Sequence, residues 1–300
     1  MNPKDTFEIA SASVIGRDHR ALGKNNQDAF SLVITDDFLA AVVTDGCGSG
    51  LQSDLGAKFG ARLATRFIYS YYRSYIAPRQ YSLSIGTWRE RLEGAFQNMV
   101  IQLGCFARDY ADIRPRPENA PKWWDCVYGW KACVRDCLLF TVVGFIITPF
   151  DALVFSLGDG VYALNGQITT LGPFPGNAPP YIGYNAIKED VCLEADYSQF
   201  TINAFLPAEE VNSILIGTDG AVDLMQAAEK NIPGRDEPVG PLSQFWENDI
   251  YFRNPDALRR RLAVANADVV KPDWDQRRFA KHPGLLPDDT TLVVVRRKKQ

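Results

Sequence analysis

The sequence shows no zinc-site spacing. Its six cysteines, Cys47, Cys105, Cys126, Cys133, Cys137 and Cys192, include no CxxC pair. A chain of 300 residues, 46% of them hydrophobic, has apolar surface enough for a core without disulfides. The thiols are therefore expected to be reduced and mostly buried. Basic charge is not in excess: the net charge is −4. That excludes general binding to nucleic acid or to an anionic membrane surface. The basic run Arg296-Arg297-Lys298-Lys299 is expected to be a frayed, solvated tail. The N-terminus has no apolar signal-peptide region, so a cytoplasmic location is expected. A membrane span needs ~20 uninterrupted apolar residues. The nearest stretch, Leu138 to Phe155, is broken by Pro149 and Asp151 and reads as two core strands joined by a turn at Thr148–Asp151. Repeats and low-complexity tracts are missing. No linker divides the chain, so residues 1–300 are expected to form a single domain, with insertions near 114–130 and 172–188.

What is present centres on Ala40–Gly50, Ala-Ala-Val-Val-Thr-Asp-Gly-Cys-Gly-Ser-Gly. A buried strand runs into Asp45-Gly46 and delivers one carboxylate to the rim of a sheet. Gly46 has no side chain, so its carbonyl can approach whatever Asp45 binds. A hard cation with oxygen ligands is the natural occupant. The pattern recurs in Ser213–Gly220, ending Thr-Asp219-Gly220, and in Phe155–Gly160, ending Gly-Asp159-Gly160. A lone Asp-Gly is a common hairpin turn. Three of them, two preceded by β-branched runs and Thr, argue for a shared site. Gly48-Ser49-Gly50 lacks the Lys-Ser/Thr ending of a P-loop and reads as a tight turn into a helix.

The remaining pattern separates strands from helices, which predicts an α+β fold rather than alternating βαβ units. Strands are expected at Phe7–Val14, Ala29–Thr35, Leu39–Thr44, Val191–Leu193, Gln199–Phe205, Ser213–Thr218 and Leu292–Arg296. Asn165-Gly166 marks a hairpin between Val161–Leu164 and Gln167–Leu171. A helix capped by Ser53 or Asp54 has Leu55, Phe59, Leu63 and Phe67 as its apolar face. A second spans Thr87–Tyr110, and helical stretches follow at Ala221–Ala228, Pro241–Asn248 and Pro255–Ala267. Gly16–Asn26 reads as a polar loop. Arg114–Gly129 reads as a packed loop or a lid, with Trp123, Trp124 and Trp130 expected to pack. Gly172–Lys188 reads as an ordered flap.

Asp28, Asp45, Asp159, Asp219 and the pair Asp288-Asp289 each lie where a strand begins or ends. Unpaired carboxylates cannot crowd one pocket, because like charges force protonation. Two divalent cations ~4 Å apart remove that objection and polarise phosphoryl oxygens. Oxygen-only ligands select Mg²⁺ or Mn²⁺ over zinc. Asn26-Gln27-Asp28, Thr44-Asp45-Gly46, Gly158-Asp159-Gly160, Thr218-Asp219-Gly220 and Asp288-Asp289-Thr290-Thr291 together resemble the metal-dependent protein serine/threonine phosphatases (the 2C-type or PPM family). The ordered set spans Gly16 to Arg296.

The resemblance implies a four-layer α-β-β-α sandwich of two antiparallel sheets with helices outside both, and metals at one end. It implies that Asp45 bridges two ions, that the Gly46 carbonyl binds one, and that Asp219 and Asp288 complete the other's shell. Asp28, with Gln27, would act through water, and Asp159 would serve a third, weaker site. The implied reaction is hydrolysis of phosphoserine and phosphothreonine in proteins, by in-line attack of a metal-bridging hydroxide, in a signalling role. The chain departs from the family in several places. Gln27 stands where many relatives have glutamate, Cys47 where some have a histidine proposed as an acid, and Asp289 where many have asparagine, so either Asp288 or Asp289 is the metal ligand that the resemblance implies. The family's phosphate-binding arginine has no clear counterpart; Lys24 or Arg20 is the nearest candidate. These gaps support a second reading, a catalytically weak relative that acts as a binding or regulatory module. A metal-dependent phosphodiesterase or nuclease is disfavoured by the acidic balance. His19 is expected to brace its loop and His282 to lie in a loop.

Overall fold

The computed structural model describes residues 1–77, 81–113, 119, 129–187 and 200–299. Trp123, Trp124, the strand expected at Val191–Leu193, and Cys126 and Cys192 lie outside them.

Two five-stranded antiparallel sheets stack face to face. The first has the order β2-β3-β4-β5-β8: Asp28–Ile34, Leu39–Asp45, Val142–Ile147, Asp151–Leu157 and Thr201–Pro207. The second has the order β1-β12-β9-β6-β7: Phe7–Val14, Thr290–Arg297, Ser213–Gly217, Gly160–Leu164 and Gln167–Leu171. Strands β4 and β5 are buried along their whole length, which is why they read as unbroken apolar runs. Between the sheets, Val43, Phe145 and Val154 from one meet Ile214, Ile216, Val293 and Val295 from the other. Asn165-Gly166 closes the β6–β7 hairpin, with Asn165 at φ +50°.

Helices α1 (Pro3–Thr6) and α2 (Arg17–Ala21) are short. The long α3 (Ser53–Tyr71) and α4 (Ile85–Ile113), with α5 (Trp130–Cys137), cover the first sheet. Helices α6 (Gly220–Gln226), α7 (Gln244–Glu247), α8 (Ile250–Arg253) and α9 (Ala257–Ala265) cover the second. The layers are therefore α-β-β-α. No helix among the described residues is long and apolar enough to cross a membrane.

The face of α3 differs from the expected one. Of Leu55, Phe59, Leu63 and Phe67 only Leu63 is buried; the deepest residues are small, Gly56, Ala57, Gly60, Ala61 and Ala64. A Cβ on Gly56 would sit 2.0 Å from the Cys137 carbonyl oxygen, and one on Gly60 would sit 2.2 Å from the Phe140 ring. The helix lies that close to its neighbours, and its large residues turn sideways: the Phe59 ring is 5.0 Å from Phe106 of α4. Asp151 anchors the start of α4. It accepts from Ser82 Oγ at 2.5 Å, the Leu83 amide at 2.9 Å and Trp88 Nε1 at 3.2 Å.

Four further expectations change. The polar loop Gly16–Asn26 contains α2, and α5 lies where no helix was expected. Residues 266–284 form a two-stranded ribbon, β10 (Val269–Asp273) with β11 (Arg278–His282), so His282 ends a strand. The basic C-terminus is not a frayed tail through Arg296 and Arg297. Arg296 is buried and pairs with Glu8 at 2.7 Å and Asp249 at 2.8 Å, and Arg297 donates to three carbonyls, those of Val211, Ala208 and Glu209. Of the cysteines, Cys133 and Cys137 are buried, Cys47 is half-buried and Cys105 is exposed. In the 172–187 flap the chain takes short turns of 3₁₀ helix at Pro175–Asn177 and Ile182–Ala186.

Candidate active site

The site lies at one end of the sandwich, where strands of both sheets stop. Asp28 opens β2 directly opposite Asp45 at the end of β3, and residues so paired project on the same face. Asp159 sits in the joint between β5 of one sheet and β6 of the other. Gly158 makes that joint possible: its φ is +96°, and a Cβ would meet Thr141 at 2.6 Å. Asp219 follows β9 and precedes α6. Asp288 and Asp289 precede β12. None of the three Asp-Gly pairs closes a hairpin.

A pocket of about 280 Å³ collects these ends, with Asp45, Asp159, Asp219 and Asp288 in its lining beside Gln27 and His19. Asp28 lies beneath. Its Oδ2 accepts from Thr218 Oγ1 at 2.6 Å, and that hydroxyl accepts from the Thr291 amide at 3.0 Å. Thr218 thus ties β2, β9 and β12 together. Gln27 donates from Nε2 to Ser53 Oγ at 2.6 Å. Gly46 is wedged between the Ser53 and Gln27 carbonyls, which a Cβ would meet at 2.7 and 2.9 Å.

Asp288 and Asp289 have separate roles in the fold. Asp288 faces the pocket. Asp289 is 1% exposed, and its carboxylate accepts from the Gly16 amide at 2.6 Å and the Gln27 amide at 2.5 Å. Its Oδ2 also lies 3.0 Å from His19 Nδ1. Asp289 therefore braces the loops that carry His19 and Gln27. Neither basic candidate lines the pocket. Arg20 donates to the Asn266 carbonyl at 2.9 Å, and Lys24 reaches the Gly48 carbonyl at 3.0 Å, on the rim.

Burial pushes the Asp28 and Asp45 carboxyls well above the usual carboxylate range, and their acidic neighbours push further: Asp289 and Asp219 on Asp28; Asp28, Asp219, Asp288 and Asp159 on Asp45. Asp219 is pushed up to about 7, by burial first and then by Asp288 and Asp159. Asp159 is raised by burial and by Asp288. Buried oxygens also lack partners: Asp28 Oδ1, Asp159 Oδ1 and Gln27 Oε1. Buried polar atoms are ordinarily satisfied. A donor set made chiefly of carboxylate oxygens, mutually repelling and short of hydrogen bonds, with His19 Nδ1 beside Asp288 and Asp289, fits hard divalent cations such as Mg²⁺ or Mn²⁺.

Several contributors were not expected from the sequence. Thr218 was noted only as part of a motif, and its hydroxyl bridge needs the packed sheets. His19 was read as a loop brace; it does meet Asp289, but it also lines the pocket. Asp223 has its carboxyl raised by burial and then by Asp288. Its spacing, one helical turn after Asp219 in a stretch expected to be helical, was the available signal. Tyr181, from the flap, lines the pocket beside Cys47, and burial raises its phenol.

A family model described as protein phosphatase 2C matches residues 15–248. Among solved structures, the chain is similar to the Staphylococcus aureus serine/threonine phosphatase Stp1, with 10% identity and a TM-score of 0.52 over 100% of this chain and 98% of that one. It is similar to a bacterial serine phosphatase, with 9% identity and a TM-score of 0.50 over 98% of this chain and 99% of that one. A C. elegans sex determining protein gives 12% identity and a TM-score of 0.51 over 97% of this chain and 65% of that one. At these identities the likeness speaks for the fold. No curated protein sequence matches the chain.

Proposed function

The chain belongs to the protein phosphatase 2C family, and from that premise we propose that it hydrolyses phosphoserine and phosphothreonine in proteins with Mg²⁺ or Mn²⁺ as cofactor. The observation that carries this reading is the convergence of Asp45, Asp159, Asp219 and Asp288 on one pocket over Asp28, with buried carboxylate oxygens left unpartnered. Asp45, Asp219 and Asp288, with the Gly46 carbonyl, would hold two ions. Asp28 and Gln27 would orient water beside them, and Asp159 would serve a third ion. Such ions supply an activated water and neutralise charge on the phosphoryl oxygens.

The chain's own residues do the rest. Asp28 is fixed through Oδ2 by Thr218, and its Oδ1, buried without a hydrogen-bond partner, is left as an acceptor. Asp289 holds the Gly16 and Gln27 amides and so sets the wall on which His19 and Gln27 sit. Tyr181 and Pro179 of the flap shield one side from solvent.

The test is turnover of a chromogenic phosphate ester with Mn²⁺, lost with chelator and regained on adding Mn²⁺. Asp45→Ala removes turnover and Mn²⁺ binding together. Turnover that survives chelation, or survives in Asp45→Ala, overturns the assignment. A specific observation favours a second reading. No Arg or Lys lies among the described residues that line the pocket, so a phosphate there meets cations only from bound metal or the rim. A catalytically weak binding or regulatory module is the outcome if Mn²⁺ binds and no phosphate ester is turned over.

A further inference from the structure

The ribbon β10–β11 lies beyond the residues that the family model matches, which end at 248. Between it and the loop 231–236 is a groove of about 570 Å³, larger than the acidic pocket. Its walls carry Arg235, Lys271, Lys281 and His282, with apolar surface from Pro283 and Leu285. One carboxylate, Asp236, also lines it, and it accepts from Asn231 Nδ2 at 3.3 Å.

The groove is built. Gly234 has φ +68°, and a Cβ there would meet Val269 Cγ1 at 2.7 Å, so only glycine lets the loop come this close to the ribbon. Lys271 donates to the Gly234 carbonyl and pins the loop. Lys281 makes no ion pair among the described residues, and Arg235 makes none either. The chain runs from the ribbon through residues 283–287 straight to Asp288, and that segment holds α2, which carries His19: the Leu286 carbonyl accepts from the Arg17 amide at 2.9 Å, and Gly284 oxygen accepts from Arg17 Nη1 at 2.8 Å.

A cationic groove on a chain of net charge −4 calls for an anionic occupant. Apolar surface beside the cations favours a peptide with apolar side chains over a nucleic acid, whose non-specific affinity rests on its phosphates. We propose that this groove docks an acidic segment of the phosphoprotein substrate, carrying aliphatic or aromatic residues between its carboxylates. This rests on the phosphatase reading for the word substrate, but not for the binding itself.

The experiment uses the full chain and a fluorescein-labelled dodecapeptide of alternating Glu with Leu and Phe, read by anisotropy. Lys281→Glu with Arg235→Glu is expected to weaken binding at least tenfold, and binding by the unaltered protein is expected to fall with added salt. Ile250→Ser, exposed on α8 and outside the groove's lining, is expected to leave it unchanged. A phosphothreonine peptide bearing the same acidic tail should then show a raised KM and an unaltered kcat in the double variant. p-Nitrophenyl phosphate turnover should stay the same. Equal peptide binding by the double variant, or tighter binding of a dT12 oligonucleotide than of the peptide, overturns the proposal. Peptide binding that responds as expected, in a protein that turns over neither substrate, upholds the groove and overturns the phosphatase reading.

Discussion

Removing metal should leave a protein that neutral pH destabilises, and Asp219→Asn should relieve it. Asp219 in the fold holds its proton up to about 7 against an ordinary 3.8. Between those values the folded chain binds more protons than the unfolded chain, so stability falls as pH rises through that window. A gap of three on the pH scale corresponds to ~4 kcal/mol at pH 8. The pocket is open on one side, and solvent screening reduces the expected gain on neutralisation to ~2 kcal/mol. For a chain of this length that is a rise in Tm of roughly 4 °C. The assay is thermal unfolding of chelator-treated protein, unaltered and Asp219→Asn, at pH 5 and pH 8. The variant should unfold higher at pH 8, and by a smaller margin at pH 5, where Asp219 is still protonated in the folded chain and ionised only in the unfolded one. Adding Mn²⁺ at pH 8 should reverse the order, because only the unaltered chain keeps the full ligand set. A variant that is less stable than the unaltered chain at pH 8 in chelator would refute the reasoning, as would an apo protein whose Tm rises from pH 5 to pH 8.

Thr218→Val removes the hydroxyl that joins Asp28 to β12; it should cost about 1–3 kcal/mol in denaturant unfolding and weaken Mn²⁺ binding measured by calorimetry. Gly46→Ala pushes a methyl into the Ser53 and Gln27 carbonyls and should abolish Mn²⁺-dependent turnover while the circular dichroism spectrum stays that of the folded protein. Asp151→Ala strands Ser82, the Leu83 amide and Trp88 Nε1 far from the pocket; about 3 kcal/mol should be lost in denaturant unfolding, with the KM of the remaining folded enzyme unmoved. Arg296→Met removes the buried guanidinium that Glu8 and Asp249 share, and a lower unfolding midpoint in the same measurement is expected, softened because both carboxylates reach solvent and Asp249 keeps Lys299.

Strands β3, β4, β5 and β9 were legible because both faces of each are buried. A run such as Val142–Ile147 has no other use in a chain of this composition. The strand-end aspartates were legible for a related reason: a carboxylate that follows an apolar run must emerge at a rim. What the sequence hid depended on contacts between distant segments. The small-residue face of α3 looked secondary because hydrophobic periodicity weighs size, whereas close packing on a sheet rewards its absence. Helix α2 is five residues long and polar, so neither periodicity nor propensity marks it. The β10–β11 ribbon carries Lys, Asp and Arg at alternate positions with Pro272 inside, a pattern that reads as loop. Arg296 looked like a solvated tail residue because its partners, Glu8 and Asp249, are far away in sequence.

The distribution of hydrogen bonds separates two kinds of buried acid, and the separation argues for function. Asp151 and Asp289 are buried and well supplied: three donors reach the first, and two backbone amides reach the second. These are acids the fold has made comfortable, as burial of a charge demands. Asp28 keeps one oxygen bare and Asp159 does the same, in a pocket where each carboxylate raises the proton affinity of the next. The same chain therefore has the means to satisfy a buried carboxylate, even at Asp289 beside the pocket, and withholds it at Asp28 and Asp159. Donors placed there would compete with a cation for the same lone pairs. An acidic cluster kept short of hydrogen bonds is unstable alone and becomes favourable when a divalent ion arrives. Filling it with donors, for instance by Asp159→Asn, should stabilise the metal-free fold and weaken Mn²⁺ binding in the same protein, two changes of opposite sign that a merely structural cluster would not produce together.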